Sequence, residues 1–214
     1  MIRALLLSWD LRIEVLLVLG LAAAIYLRGW LRLRALPLPH AWQGSAKQSQ
    51  PRPLAAGWRL ATYWAGLLTV GLSLMSPIDV LSGQLFSMHM TQHLLLTMVA
   101  VPLLLIGNPF PVLMWGLPRR ARRPASALLS ESSPLRRPLA AATSPGIVWL
   151  LYVIGLIAWH DPLLYGLALR NQFVHDLQHL TFFVTTMLLW WHILGVAPRL
   201  HRSLSTGQRI IYTI

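Results

Sequence analysis

Long uncharged apolar runs dominate the chain. Between Arg59 and Arg119 the one charged residue is Asp79, and no Asp, Glu, Lys or Arg occurs from Leu139 to His160 or from Leu177 to Pro198. A helix needs about 20 predominantly apolar residues to cross a bilayer. The runs predict five spanning helices, at about 11–31, 58–76, 87–107, 145–161 and 173–196. The first has the weakest pattern: its charge-free part, Val15 to Leu27, is short, and Arg28 and Arg32 would have to snorkel to the interface. Ala22-Ala23-Ala24 could imitate the cleavage site of a signal peptide, but the basic stretch after it argues against translocation. Pro102 predicts a kink in the third span.

The stretches between runs are polar, basic and rich in proline. Residues 34–57 and 108–144 are expected as cytoplasmic loops, with 118–138 irregular around its Arg pairs and 110–117 a short interfacial segment. The expected fold is all-α, a polytopic transmembrane helical bundle forming a single integral membrane domain over 1–214. Ser205 to Ile214 reads as the start of a sixth span.

Composition supports this picture. Of 214 residues 56% are hydrophobic and 11% charged, against about 25% charged in a soluble domain. That excludes an ordinary soluble protein and, with so much apolar content, a disordered one. The net charge of +12 would suggest nucleic acid in a soluble chain. Its distribution gives another reason. With the N-terminus outside, 15 of the 18 basic residues fall on the inner side, leaving Arg3, Arg12 and Arg170 outside. Five of the six acids, Asp10, Glu14, Asp79, Asp161 and Asp176, fall outside. This is the positive-inside pattern, so the partner is the lipid bilayer and no nucleic acid is expected. Trp30, Trp58, Trp115, Trp190 and Trp191 mark inner ends, and Trp9 and Trp159 outer ends, as aromatic belts do. The chain has no cysteine, which excludes disulfides and thiolate sites.

The candidate chemistry lies at the outer ends. Five of eight histidines, His89, His93, His160, His175 and His179, fall there. Two pairs stand four apart, which puts both rings on one helix face about 6 Å apart along the axis. Both pairs share one frame: His89-Met90-Thr91-Gln92-His93-Leu94 and His175-Asp176-Leu177-Gln178-His179-Leu180 read H-x-x-Q-H-L. A span and a proline, Pro77 or Pro162, precede each. Two related helix pairs, 58–107 and 145–196, would bring the motifs face to face at one depth, and transporter repeats often place a site at such an interface.

Imidazole suits copper, zinc, iron and nickel, and the thioethers of Met88 and Met90 favour copper in its reduced form. Haem ligated by His pairs and a metal-free set of interhelical hydrogen bonds stay as alternatives. Asp79, Asp161, Asp176, Gln92 and Gln178 are candidates to orient the imidazoles from behind; for Asp79 a loop acid and for Asp161 a helix end are the plain alternatives. His40 and His201 fall in basic inner segments and are expected to be solvated; His192 is expected to be a packing or interfacial residue. No nucleophile with a base, phosphate loop or H-E-x-x-H occurs, so no enzymatic activity is expected.

These blocks resemble CtaG, a multi-pass membrane family of cytochrome c oxidase assembly factors. The resemblance is carried by Ser76-Pro77-Ile78-Asp79, Met88 through Leu96 and Ile106-Gly107-Asn108-Pro109. It continues in Trp159-His160-Asp161-Pro162, Tyr165, Ala168 to Asn171, His175 to Leu180 and Trp190-Trp191 with Gly195, covering about 58–210 in order. It implies a bacterial plasma-membrane protein that helps mature haem-copper oxidase, with oxidase subunits as partners. His89, His93, His175 and His179, with His160, would then hold or pass copper on the outer face. Such proteins usually have seven spans, so the resemblance also implies a shorter variant or a missing C-terminal part.

Overall fold

The computed structural model describes residues 8–36 and 53–213. Arg3, His40, Lys47, Arg52 and the prolines at 37, 39 and 51 lie outside them. The described residues are all-α, without strands. Helix α1 is Ile13–Ala35, α2 Gly57–Met75, α3 Pro77–Ser82 and α4 Phe86–Ile106. Then come α5 Pro109–Gly116, α6 Arg119–Leu128, α7 Arg136–Ala142, α8 Pro145–Trp159, α9 Pro162–Arg170, α10 Gln172–Leu194 and α11 Thr206–Thr213.

The two related halves appear as one repeated unit. In each, a long helix (α2 or α8) is followed by a short helix opening on a proline (α3 or α9) and by a long helix carrying the H-x-x-Q-H-L motif (α4 or α10). The breaks have local causes. The Ser76 hydroxyl accepts from Ile78 N, and Pro77 occupies the first turn of α3. Asp161 accepts from Leu163 N and Leu164 N to start α9, again with proline in the first turn. Asn171 does the same for α10, accepting from Phe173 N and Val174 N. These are favoured N-cap residues, and proline is tolerated where the backbone N–H has no helical partner.

The core is built from α1, α2, α4 and α5, with Tyr26, Trp30, Tyr63, Leu67, Val70, Leu96, Ala100, Leu104 and Val112 buried in one cluster. Tyr26 stacks on Tyr63 at 3.7 Å between ring centroids. Its hydroxyl donates to Gly107 O at 2.8 Å, so a fully buried phenol keeps its hydrogen bond. Helices α1 and α5 touch through glycines. A Cβ on Gly29 would lie 1.9 Å from Val112 O, and one on Gly116 2.0 Å from Ile25 O. Helix α10 packs on α8 and on the second half of α4, which joins the two halves.

Pro102 disturbs α4 through a π-helical turn over Leu95–Ala100. Val101 N donates to Leu96 O, five residues back. The wider turn accommodates a residue that can neither donate nor fit close to the preceding carbonyl.

One expectation changes and another is met in part. Residues 118–138 are not irregular: α6 and the start of α7 occupy much of them. Arg, Ala and Leu are good helix formers, and their weight exceeds that of the prolines used to read a loop. The five expected spans are met in part by length and apolarity. Among the described residues, α1 and α4 are long and apolar enough to cross a membrane by themselves, with α7 and α8 a third if that pair, bent by 47°, counts as one. Helix α8 alone has 15 residues, about 22 Å at 1.5 Å per residue, against a hydrocarbon thickness of about 30 Å. Helices α2 and α10 are 19 and 23 residues long but carry polar groups along their buried faces, among them Ser73, His175, Gln178, His179, Thr186 and His192.

Arginine side chains lie over three of the tryptophans expected at inner ends. Arg34 covers Trp30 at 4.6 Å, Arg59 covers Trp58 at 4.7 Å and Arg122 covers Trp115 at 4.8 Å. Each pair joins a cation to the negative face of an amphipathic ring.

Candidate functional site

Helices α4 and α10 bring their paired histidines into one buried cluster. Within α4 the rings of His89 and His93 are 4.4 Å apart, and within α10 those of His175 and His179 are 4.3 Å apart. Across the helices His89 lies 5.4 Å from His175 and 6.5 Å from His179, and His93 lies 5.0 Å from His179. All four are buried, His89 completely. The i, i+4 spacing sets the pairs, and the packing of the two halves sets them opposite one another.

The donor atoms are not arranged as a coordination shell. Nε2 of His89 and Nε2 of His93 face each other at 2.8 Å, so one carries the proton and the other accepts it. Among the described residues no group of three or more His, Asp or Glu side chains could hold a metal ion as it stands. Yet Nδ1 of His89, Nδ1 of His93 and both ring nitrogens of His179 are buried without a hydrogen-bond partner. Buried polar atoms normally have one. A metal taking up imidazole nitrogens would satisfy them after the rings reorient.

The supporting residues divide. Gln92, fully buried, donates through Nε2 to Ser73 O at 2.8 Å and to Asp79 Oδ1 at 2.5 Å. This fixes the α4 motif against α2 and α3. Burial pushes the Asp79 carboxyl above its ordinary range, against the opposing pull of the Gln92 hydrogen bond. Asp176 turns to Arg12, whose Nη1 and Nη2 donate to its two oxygens, and it also accepts from Gln172 at 3.1 Å. Gln178 is buried with Oε1 unpartnered. Asp161 uses Oδ1 to cap α9.

His160 stands apart. It is exposed at the end of α8, with Nδ1 2.7 Å from Leu156 O. Its ring contacts Phe182 at 6.3 Å, and Phe182 in turn lies 4.9 Å from His93. Met88 and Met90 are half-buried on either side of His89.

Three residues near the cluster escaped sequence reasoning. Tyr165 of α9 meets the edge of His89 at 5.3 Å. Phe182, three residues after His179 and so on the same face, packs its ring against His93. Arg12 reaches the α10 motif from the N-terminal segment. The spacing of Phe182 could have marked it; Tyr165 stood within the family resemblance without a role, and nothing local marks Arg12.

A family model described as cytochrome c oxidase caa3 assembly factor matches residues 24–214. Relatives include an uncharacterized protein of Mycobacterium bovis and one of Mycobacterium tuberculosis. Each is 26% identical over 148 residues, which is 65% of this chain and 22% of the relative. The match thus spans about a fifth of the length of these curated relatives. No solved structure matches the chain.

Proposed function

The chain belongs to the cytochrome c oxidase caa3 assembly factor family, and from that premise we propose that it binds copper at the four-histidine cluster and passes it toward the oxidase. One observation carries this reading: four imidazoles from two repeated motifs converge in one buried site with four ring nitrogens unpartnered. Copper is here cargo. Neutral imidazole and thioether donors suit its reduced form, and a site built from short side-chain rotations rather than a rigid shell suits a metal that must leave again. His89, His93, His175 and His179 hold it. Met88 and Met90, on either side of His89, and His160, at the exposed end of α8, serve as transfer ligands. Gln92 with Asp79, and Asp176 with Arg12, steady the two helices; Gln178 backs the second.

In this reading α1, α2, α4, α8 and α10 are five spans of a plasma-membrane bundle, N-terminus outside, and residues 1–214 form one integral membrane domain. The polar groups of α2 and α10 point inward, where they cost less than against lipid. The arginine-tryptophan pairs then mark the inner rim, and the histidines lie near the outer one. Binding and transfer require no catalytic turnover.

A second reading is a metal-free scaffold for oxidase subunits. The direct His89–His93 contact favours it, because a hydrogen-bonded pair already satisfies one nitrogen of each ring. Haem gains no support: the imidazoles are in mutual contact, and a macrocycle would have to force α4 and α10 apart.

A deletion strain separates these readings. Loss of the gene is expected to lower caa3-type oxidase activity in membranes, with recovery from the wild-type gene or from added copper. Unchanged activity would contradict the assembly role. Recovery by the His175→Ala/His179→Ala variant would favour the scaffold.

A further inference from the structure

A second group of polar residues lies at the opposite end of α10, far in sequence from the histidine motifs. There α10 ends at Gly195, and the chain turns back through residues 196–205 into α11. This turn encloses a cavity of about 310 Å³ lined by Arg199, Arg202, Arg209, His201, Ser203 and the end of α10 at His192. No carboxylate lines it.

The walls are held by hydrogen bonds that leave the cationic groups available. Trp191 Nε1 donates to Val196 O at 2.9 Å and closes the turn. His192 Nε2 lies 2.8 Å from Thr143 O, and His201 Nε2 lies 3.1 Å from Thr143 Oγ1. Arg209 donates through Nε to Leu204 O at 3.0 Å, which orients its guanidinium without neutralising it. Among the described residues the ion pairs are those of Arg12 with Glu14 and Asp176. Among the described residues, then, the arginines here have no counter-ion. Guanidinium forks match phosphate oxygens in shape as well as charge.

The neighbouring surface narrows the source of such a phosphate. A second cavity, of about 680 Å³, shares His201, Arg202 and Ser203 with the first. A third, of about 350 Å³, shares Pro145, Leu204 and Gln208 with the second and is walled by Trp149, Ile211 and Tyr212. Tyr212 donates to Pro145 O at 2.9 Å, which ties α11 to the start of α8. The three cavities adjoin through these shared wall residues, in a row that is cationic at the first and apolar at the third. A free anion needs only the first end; an amphipathic anion fills both.

We infer that this row of cavities seats an anionic phospholipid, its phosphate among Arg199, Arg202 and Arg209 and an acyl chain against Trp149, Leu204 and Ile211. The inference rests on the membrane placement proposed above, with residues 199–209 at the inner rim, and it is independent of copper. It adds a site at the end of the molecule opposite the histidine cluster.

The test is native mass spectrometry of the full chain in neutral detergent, titrated with phosphatidylglycerol and, separately, phosphatidylcholine. Wild type is expected to retain phosphatidylglycerol in preference to phosphatidylcholine. Arg199→Gln/Arg202→Gln is expected to lose roughly 30-fold in affinity for it, the effect of two arginines near an anionic headgroup. Arg119→Gln/Arg120→Gln, with the same charge removed from α6, is expected to bind as wild type does. Equal loss in both variants would reduce the effect to net charge and overturn the site. On wild type, inorganic phosphate and glycerophosphoglycerol should not displace the lipid. Displacement by either would show a site for a soluble anion and contradict the lipid assignment.

Discussion

Arg12 grips Asp176 with two parallel hydrogen bonds of 2.8 and 2.7 Å, across 164 positions of sequence. The contact fastens the entrance of α1 to the helix turn that carries His175. A neighbouring backbone bond, from Asp10 N to Met75 O at 3.1 Å, ties the same segment to the end of α2. The N-terminal segment thus braces both repeated halves beside the cluster.

Loss of that clamp should be measurable. Asp176 keeps 38% of its side chain exposed, so solvent weakens the pair. Arg12→Gln is expected to cost about 1 kcal/mol of stability. A double-mutant cycle with Asp176→Asn in detergent-solubilised protein should show positive coupling that shrinks as salt is added. Strict additivity of the two substitutions would show the contact to be energetically idle.

The glycine contact between α1 and α5 permits no side chain. Gly29→Ala and Gly116→Ala place a methyl group against backbone atoms that cannot rotate away. Each is expected to destabilise by about 1–3 kcal/mol, the usual range for overpacking. Gly20→Ala is the control, since a Cβ there meets nothing within 4 Å. It should be neutral or slightly stabilising, as alanine favours helix. Thermal unfolding of the three variants makes the comparison, and equal midpoints would refute the tight packing.

Asp79 predicts a dependence on pH. Burial raises its folded-state value above the ordinary 3.8, so the folded protein holds this proton more tightly than the unfolded chain. The stabilisation from that proton is complete below the ordinary value and is lost as pH rises through the folded one. Asp79→Asn can still accept from Gln92 but does not ionise. Its stability relative to wild type should therefore increase as pH rises from acidic values to neutral. A constant difference across that range would rule out a buried, titrating Asp79.

Much of the site could be read from the chain because it depends on short-range geometry. His89 with His93, and His175 with His179, share a face by helical spacing alone, and the repeated frame implied that the faces meet. Pro77 and Pro162 marked matching breaks in both halves. What could not be read depends on packing or on competition between local rules. His160 shares the cluster's end of the molecule, yet the chain leaves α8 there and turns its ring toward Phe182. Asp161, beside it, caps α9. The helix over Arg119–Leu128 forms because strong helix formers outweigh Pro124. Missing charges suggested five spans, whereas length and apolarity mark α1 and α4, because the uncharged polar groups of α10 and the shortness of α8 weigh on that measure and not on charge.

Copper retained per chain tests the central claim most directly. Wild-type protein, loaded with reduced copper and desalted, is expected to keep the metal, and both His89→Ala/His93→Ala and His175→Ala/His179→Ala are expected to lose it while remaining folded. Arg12→Gln, which leaves all four imidazoles in place, should keep most of it. Equal retention by wild type and both double variants, or no retention by wild type, would contradict the proposal that this cluster carries copper.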